Sequence, residues 1–157
     1  MKKRLFLAVA AMLVLMICSV AAGEDALLPE VDDWACGEIQ IIHLDTVSGN
    51  QGIWVRRNYI SAQNIPMVAN LMGGKGPGSL YLPVGSIDAL DGPIGSGARY
   101  ETISIAGHRG ILEHDPTMGF ILSVQLDKGI LTLESRSFGL ERGRFLEEAG
   151  RFLEAIK

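Results

Sequence analysis

The chain has 157 residues, of which 48% are hydrophobic and 20% charged, and its formal net charge is −4. Setting aside Lys2, Lys3 and Arg4 reduces the 14 basic residues to 11 against 18 acidic ones, a balance of −7 that argues against phosphate backbones and so against nucleic acid as a partner. Beyond a short leader, the remaining chain is one ordinary domain by size, large enough to bury a core without disulfide or metal staples.

Met1-Lys2-Lys3-Arg4 precedes an apolar run from Leu5 to Ala22, and the chain turns acidic at Glu24 and Asp25. This charged, apolar, small-residue order is that of a secretory signal peptide over 1–22, with Val20 and Ala22, or Ser19 and Ala21, as the small pair before cleavage. The expected location is therefore exported, in a bacterial periplasm or the extracellular space. The same run is long enough to span a bilayer, for which roughly 17 to 25 residues suffice, so an uncleaved segment would anchor the protein to the membrane. In that case the chain would be a membrane-tethered structural subunit. Once Cys18 leaves with the signal, Cys36 stands alone and makes no intramolecular disulfide, leaving it either buried and inert or paired with another chain. Trp34-Ala35-Cys36-Gly37 lacks the second cysteine of a thioredoxin-like redox motif.

Residues 23–37 read as an extended N-terminal segment, because Pro29 disfavours helix at Leu28, and Leu27, Leu28, Val31 and Trp34 should tuck against the domain edge. The single domain then runs over 38–157. Its first strand is Glu38 to Asp45, followed by a turn rich in residues that tolerate positive φ, and a second strand from Ile53 to Ser61 completes a hairpin. That second strand puts Ile53, Val55, Arg57 and Tyr59 on one face and Trp54, Arg56 and Asn58 on the other. Pro66 opens a third strand, Met67 to Met72. Regular pattern then stops: 73–97 holds eight glycines and three prolines in 25 residues, a long loop with room for one short strand at Leu80 to Val84.

Tyr100 to Ala106 alternates as a strand with Ile103 and Ile105 inward. A bend or bulge at Gly107 to Gly110 leads into Ile111 to Glu113, which continues as an extension of that strand or as a partner to it. After a turn at 115–119, Phe120, Leu122, Val124 and Leu126 share one face of a strand. Asp127-Lys128-Gly129 closes a tight hairpin onto Ile130 to Ser135. A helix begins near Leu140, where Phe145, Leu146, Ala149, Phe152, Leu153 and Ile156 form one apolar stripe of period 3.6. Its other side should be solvated, with Glu147 four residues before Arg151 and Arg144 four before Glu148. Gly143 and Gly150, one heptad apart, each lower helix propensity by about 1 kcal/mol, and close approach to a sheet would account for them. The expected fold is α+β: a two-layer sandwich in which an antiparallel sheet of about six strands is packed by one C-terminal amphipathic helix.

Chemistry is sparse. His108, Arg109, Glu113, His114 and Asp115 form the densest polar cluster, and His with Glu and Asp is a metal-ligand set. A metal-assisted hydrolase centred on His108, Glu113, His114 and Asp115 is thus an alternative reading, although their spacing matches neither a helical zinc pair nor alternate strand positions. His43, with Glu38 and Asp45 near in sequence, is a weaker cluster. Gly95-Ser96-Gly97 lacks the spacing of a nucleophile elbow, and Gly74-Lys75-Gly76 lacks that of a phosphate loop. Trp54, Arg56 and Asn58, with Tyr81, are the candidate binding surface, since Trp, Tyr and Arg anchor interfaces. The leading expectation is an exported, non-enzymatic accessory or binding domain of the cell envelope. It has no cofactor and a protein or small-molecule partner.

Overall fold

The computed structural model describes residues 27–74, 82–92, 95–127 and 129–156. The expected signal peptide at 1–22 lies outside these residues, as do 75–81 of the glycine-rich stretch, Tyr81 among them.

The described chain builds one antiparallel sheet of nine strands and a helix. The strands are β1 (Ala35–Cys36), β2 (Gln40–Thr46), β3 (Gly49–Ile60), β4 (Pro66–Gly74), β5 (Asp88–Leu90), β6 (Arg99–Ile105), β7 (His108–Asp115), β8 (Gly119–Leu126) and β9 (Gly129–Ser135); the helix α1 spans Arg142–Ala155. Across the sheet the order is β1-β3-β4-β9-β8-β7-β6-β5, with β2 lying beside β3 on the same edge as β1. Two meanders, β2-β3-β4 and β5 to β9, are thus joined where β4 meets β9.

The α+β sandwich expected from sequence is present in outline, but its strand count of about six is too low. Three strands account for the difference. Ala106 and Gly107 both take positive φ, 48° and 81°, which makes a two-residue hairpin turn, so β7 is a partner strand to β6 and not its extension. β5, three residues long, lies within the glycine-rich stretch and is held to β6 from Asp88↔Glu101 to Leu90↔Arg99. β1, two residues long, continues the β2 edge beside Ile60 and Tyr59. Strands of two or three residues carry too little alternation to be seen in a sequence.

One sheet face is covered. Val55 and Tyr59 of β3, Met67, Ala69 and Leu71 of β4, Leu131 and Leu133 of β9, Phe120, Leu122 and Val124 of β8, and Leu112 of β7 are all buried on it. Phe145, Ala149, Phe152 and Leu153 of α1 pack onto this face. The alternation that predicts these positions arises because successive strand side chains point to opposite faces.

The N-terminal segment packs onto the domain and completes its core. Leu28, Val31 and Trp34 are buried within it. Trp34, Tyr59 and Phe152 form an aromatic trio with centroids 5.1 to 6.0 Å apart. Arg57 fastens the segment from below. Its Nε donates to the Gly37 carbonyl at 2.8 Å, one terminal nitrogen donates to the Leu28 carbonyl at 3.0 Å, and the other reaches Glu30 at 3.2 Å. The Tyr59 hydroxyl donates to the Pro29 carbonyl at 2.9 Å, and burial raises the pKa of that phenol.

α1 departs from expectation in two ways. Glu148, expected on the solvated side, is fully buried, because it lies three residues after Phe145 and four before Phe152 and so falls inside the apolar stripe. Neither carboxylate oxygen has a hydrogen-bond partner among the described residues, and the near charge is Arg151, 3.5 Å away. The glycines are also not explained by close approach. A side chain at Gly143 would meet nothing within 4 Å, and one at Gly150 would only touch Ile105 at 4.0 Å. Among the described residues no helix is long and apolar enough to cross a membrane.

Candidate functional site

The second sheet face carries no helix among the described residues, and its composition follows from the same alternation. Register places residues of neighbouring strands opposite one another, so side chains on this face form rows across the strands. Ile42↔Trp54, Trp54↔Met72 and Met72↔Ile130 make an apolar row over β2, β3, β4 and β9. Two residues along each strand, Gln40↔Arg56, Arg56↔Asn70 and Asn70↔Thr132 make a polar row. The third row, Asn58↔Val68 and Val68↔Glu134, mixes both kinds.

A groove of about 700 Å³ lies on this face, its floor formed by Trp54, Arg56, Val68, Asn70, Met72 and Thr132, and its end by Pro66, Glu134 and Arg136. That volume is in the range of small-molecule sites, roughly 300 to 1,000 Å³. The Trp54 indole N–H donates to Asn70 Oδ1 at 3.2 Å. Because an indole nitrogen can only donate, this bond sets the orientation of the Asn70 amide and leaves its NH₂ as the free group. Arg136 is paired with Glu134 at the groove's end. Arg56 is exposed and, among the described residues, takes no carboxylate.

Of the candidate surface, Trp54 and Arg56 come together in the groove. Asn58 shares their face but is exposed beyond the lining, and Tyr81 lies outside the described residues. Sequence reasoning misses Val68, Asn70, Met72, Thr132 and Arg136. Met67 to Met72 is legible as a strand, but nothing local says that it lies beside β9.

The polar cluster of β7 does not converge. His108 and His114 sit at opposite ends of the strand, six residues or about 20 Å apart. Glu113 lies on the opposite face from His114, where it accepts from the Tyr100 hydroxyl at 3.4 Å and raises that phenol's pKa. His114 stacks on Phe120 with centroids 4.4 Å apart, and Phe120 stacks in turn on Phe145. Asp115 builds the β7–β8 turn: its Oδ1 accepts from the Thr117 hydroxyl and N–H, both at 2.7 Å, and from the Met118 N–H at 2.9 Å. Those bonds hold its carboxyl at about 2, below the usual carboxylate range.

The other motifs also resolve into local structure. Asp45 accepts from the Asn50 amide at 2.9 Å across the β2–β3 turn, while His43 is exposed on the edge strand. The Ser96 N–H donates to Asp91 at 2.9 Å in an exposed loop. The Cys36 thiol is half-buried and donates to the Trp34 carbonyl at 3.7 Å. Among the described residues, no group of three or more His, Cys, Asp or Glu comes close enough to hold a metal ion. Comparisons with protein-family models, with curated proteins and with solved structures give no match.

Proposed function

We propose that this chain is a small exported, non-enzymatic binding or accessory domain of the bacterial cell envelope, and that it engages its ligand or partner through the open sheet face at Trp54 and Arg56. The observation that carries this reading is asymmetry. One sheet face is closed by α1 and the N-terminal segment, while the other leaves a groove floored by a hydrogen-bonded tryptophan and an arginine that is unpaired among the described residues. Convergent polar groups in a largely apolar concavity are the general form of a recognition site. Export is supported by the order of residues 1–22.

A Trp54→Ala, Arg56→Ala double variant tests the reading. Both side chains lie outside the buried core, so the variant stays folded at the assay temperature, checked by its thermal midpoint. It loses the component that co-purifies with the wild-type protein from a periplasmic extract, detected by native mass spectrometry and by pull-down. Unchanged co-purification removes the reading. The mass of the exported protein reports whether cleavage follows residue 22 or the leader stays as an anchor.

A further inference from the structure

Resting on that binding role, we propose that the open face takes an amphiphilic organic anion: a linear apolar body bearing one carboxylate or phosphate. The argument begins with the two adjacent rows. Ile42, Trp54, Met72 and Ile130 continue one another in register across four strands, three spacings of about 4.8 Å, so they form an apolar strip about 14 Å long. Ile42 remains 48% exposed and Met72 38% exposed, so the strip stays in contact with water. A linear hydrocarbon lying across the strands would cover it and remove that contact.

The neighbouring row lies two residues, or about 7 Å, along the strands, and its three members that line the groove, Arg56, Asn70 and Thr132, can each donate toward the strip. Arg56 has only donors. The Asn70 oxygen is taken by the Trp54 indole, so the amide presents its NH₂. The Thr132 hydroxyl, next in register after Asn70, can donate as well. Such a row of donors calls for a ligand group that accepts and does not donate, and a carboxylate or phosphate does that while matching the charge of Arg56.

The local charge points the same way. Glu134 engages Arg136 at the end of the groove, so neither offsets Arg56 in the middle. Among the described residues Arg56 is the groove cation that no carboxylate engages, and such a cation beside an apolar strip in a chain of formal net charge −4 selects one anionic head on an apolar tail. A soluble fatty-acid-like amphiphile and the headgroup of an anionic lipid share this chemistry.

The test follows the Trp54 indole N–H by NMR in ¹⁵N-labelled exported protein, with buried Trp34 as internal reference. Dodecanoate and dodecyl phosphate shift the Trp54 signal and leave that of Trp34 in place, and dodecanol binds about tenfold more weakly, as expected for one lost charge-assisted contact. Arg56→Gln abolishes the preference for the anion, so that dodecanoate and dodecanol bind the variant equally. Co-sedimentation with phosphatidylglycerol vesicles but not with phosphatidylcholine vesicles assigns the source to a lipid headgroup; sedimentation with neither assigns it to a soluble amphiphile. Equal binding of dodecanoate and dodecanol, an unaltered preference in Arg56→Gln, or no shift with any amphiphile overturns the proposal. If the Trp54→Ala, Arg56→Ala variant still loses its co-purifying component, such a result overturns the ligand class alone; if that variant loses nothing, the binding role falls with it.

Discussion

Trp54 and Asn70 are diagonal neighbours across the β3–β4 ladder, and the indole N–H of one donates to the amide oxygen of the other at 3.2 Å. The bond holds the largest side chain of the open face against the sheet and turns the Asn70 amide so that its NH₂ is free beside Arg56. Asn70→Asp separates these two effects. It keeps an acceptor for the indole, so the thermal midpoint is retained and the indole proton exchanges no faster than in the wild type. The new carboxylate neutralises Arg56 and lowers dodecanoate affinity about tenfold or more. Asn70→Ala has a different outcome: it frees the indole and lowers stability by about 1 kcal/mol in urea unfolding.

Arg57 is the tie between β3 and the N-terminal segment, and three of its nitrogens are engaged there. Arg57→Met leaves the carbonyls of Leu28 and Gly37 without these donors and lowers stability by about 3 kcal/mol. Limited proteolysis then cuts the variant first within 27–37, ahead of the sheet. Cleavage at the same rate in both proteins would show that the aromatic trio holds the segment without Arg57.

Glu148 is a buried carboxylate whose oxygens lack hydrogen-bond donors among the described residues, and burial raises its pKa while Arg151 draws it partly back. The folded chain therefore binds a proton at this site over a pH window in which the unfolded chain has already released it. The stability that this proton contributes is fully present below the unfolded value and is lost as pH rises through the folded one. Glu148→Leu removes the penalty, with a gain on the order of 1 kcal/mol at neutral pH and a smaller one in acid. Thermal midpoints of the two proteins between pH 4 and 8 converge in acid if this account holds; parallel curves would contradict it.

Two glycines make opposite predictions. A side chain at Gly129, where φ is 150°, would come within 2.0 Å of the Met72 carbonyl oxygen and 2.8 Å of Gly73 Cα, because β9 enters the sheet hard against β4. Gly129→Ala is therefore destabilising by about 3 kcal/mol. Gly150 lies within α1 with open space around it save Ile105 at 4.0 Å, so Gly150→Ala stabilises by up to about 1 kcal/mol through helix propensity. Both are read from chemical denaturation.

Features that depend on near neighbours were legible in the residue pattern. Alternation in Ile53 to Ser61 puts Val55 and Tyr59 opposite Trp54 and Arg56, and the 3.6-residue stripe marks Phe145, Ala149, Phe152 and Leu153 as the docking side of a helix. Reading Glu148 as solvated weighs charge above position: its spacing from Phe145 and Phe152 already places it within the stripe. The β6–β7 turn escapes sequence reasoning because Ala106 supplies the positive φ that is ordinarily left to glycine or asparagine.

The groove depends on strand pairing between distant parts of the chain. It exists because β4 pairs with β9, from Val68↔Glu134 to Met72↔Ile130, across a sequence separation in which four other strands intervene. No local pattern reports such a pairing, since its free energy comes from contacts formed only when both meanders are in place. The same non-local step brings Thr132 and Arg136 to Trp54 and Arg56, while the extended conformation of β7 sets His108 and His114 at its two ends. Residue types decided which faces were apolar; the order of strands decided which side chains stand together.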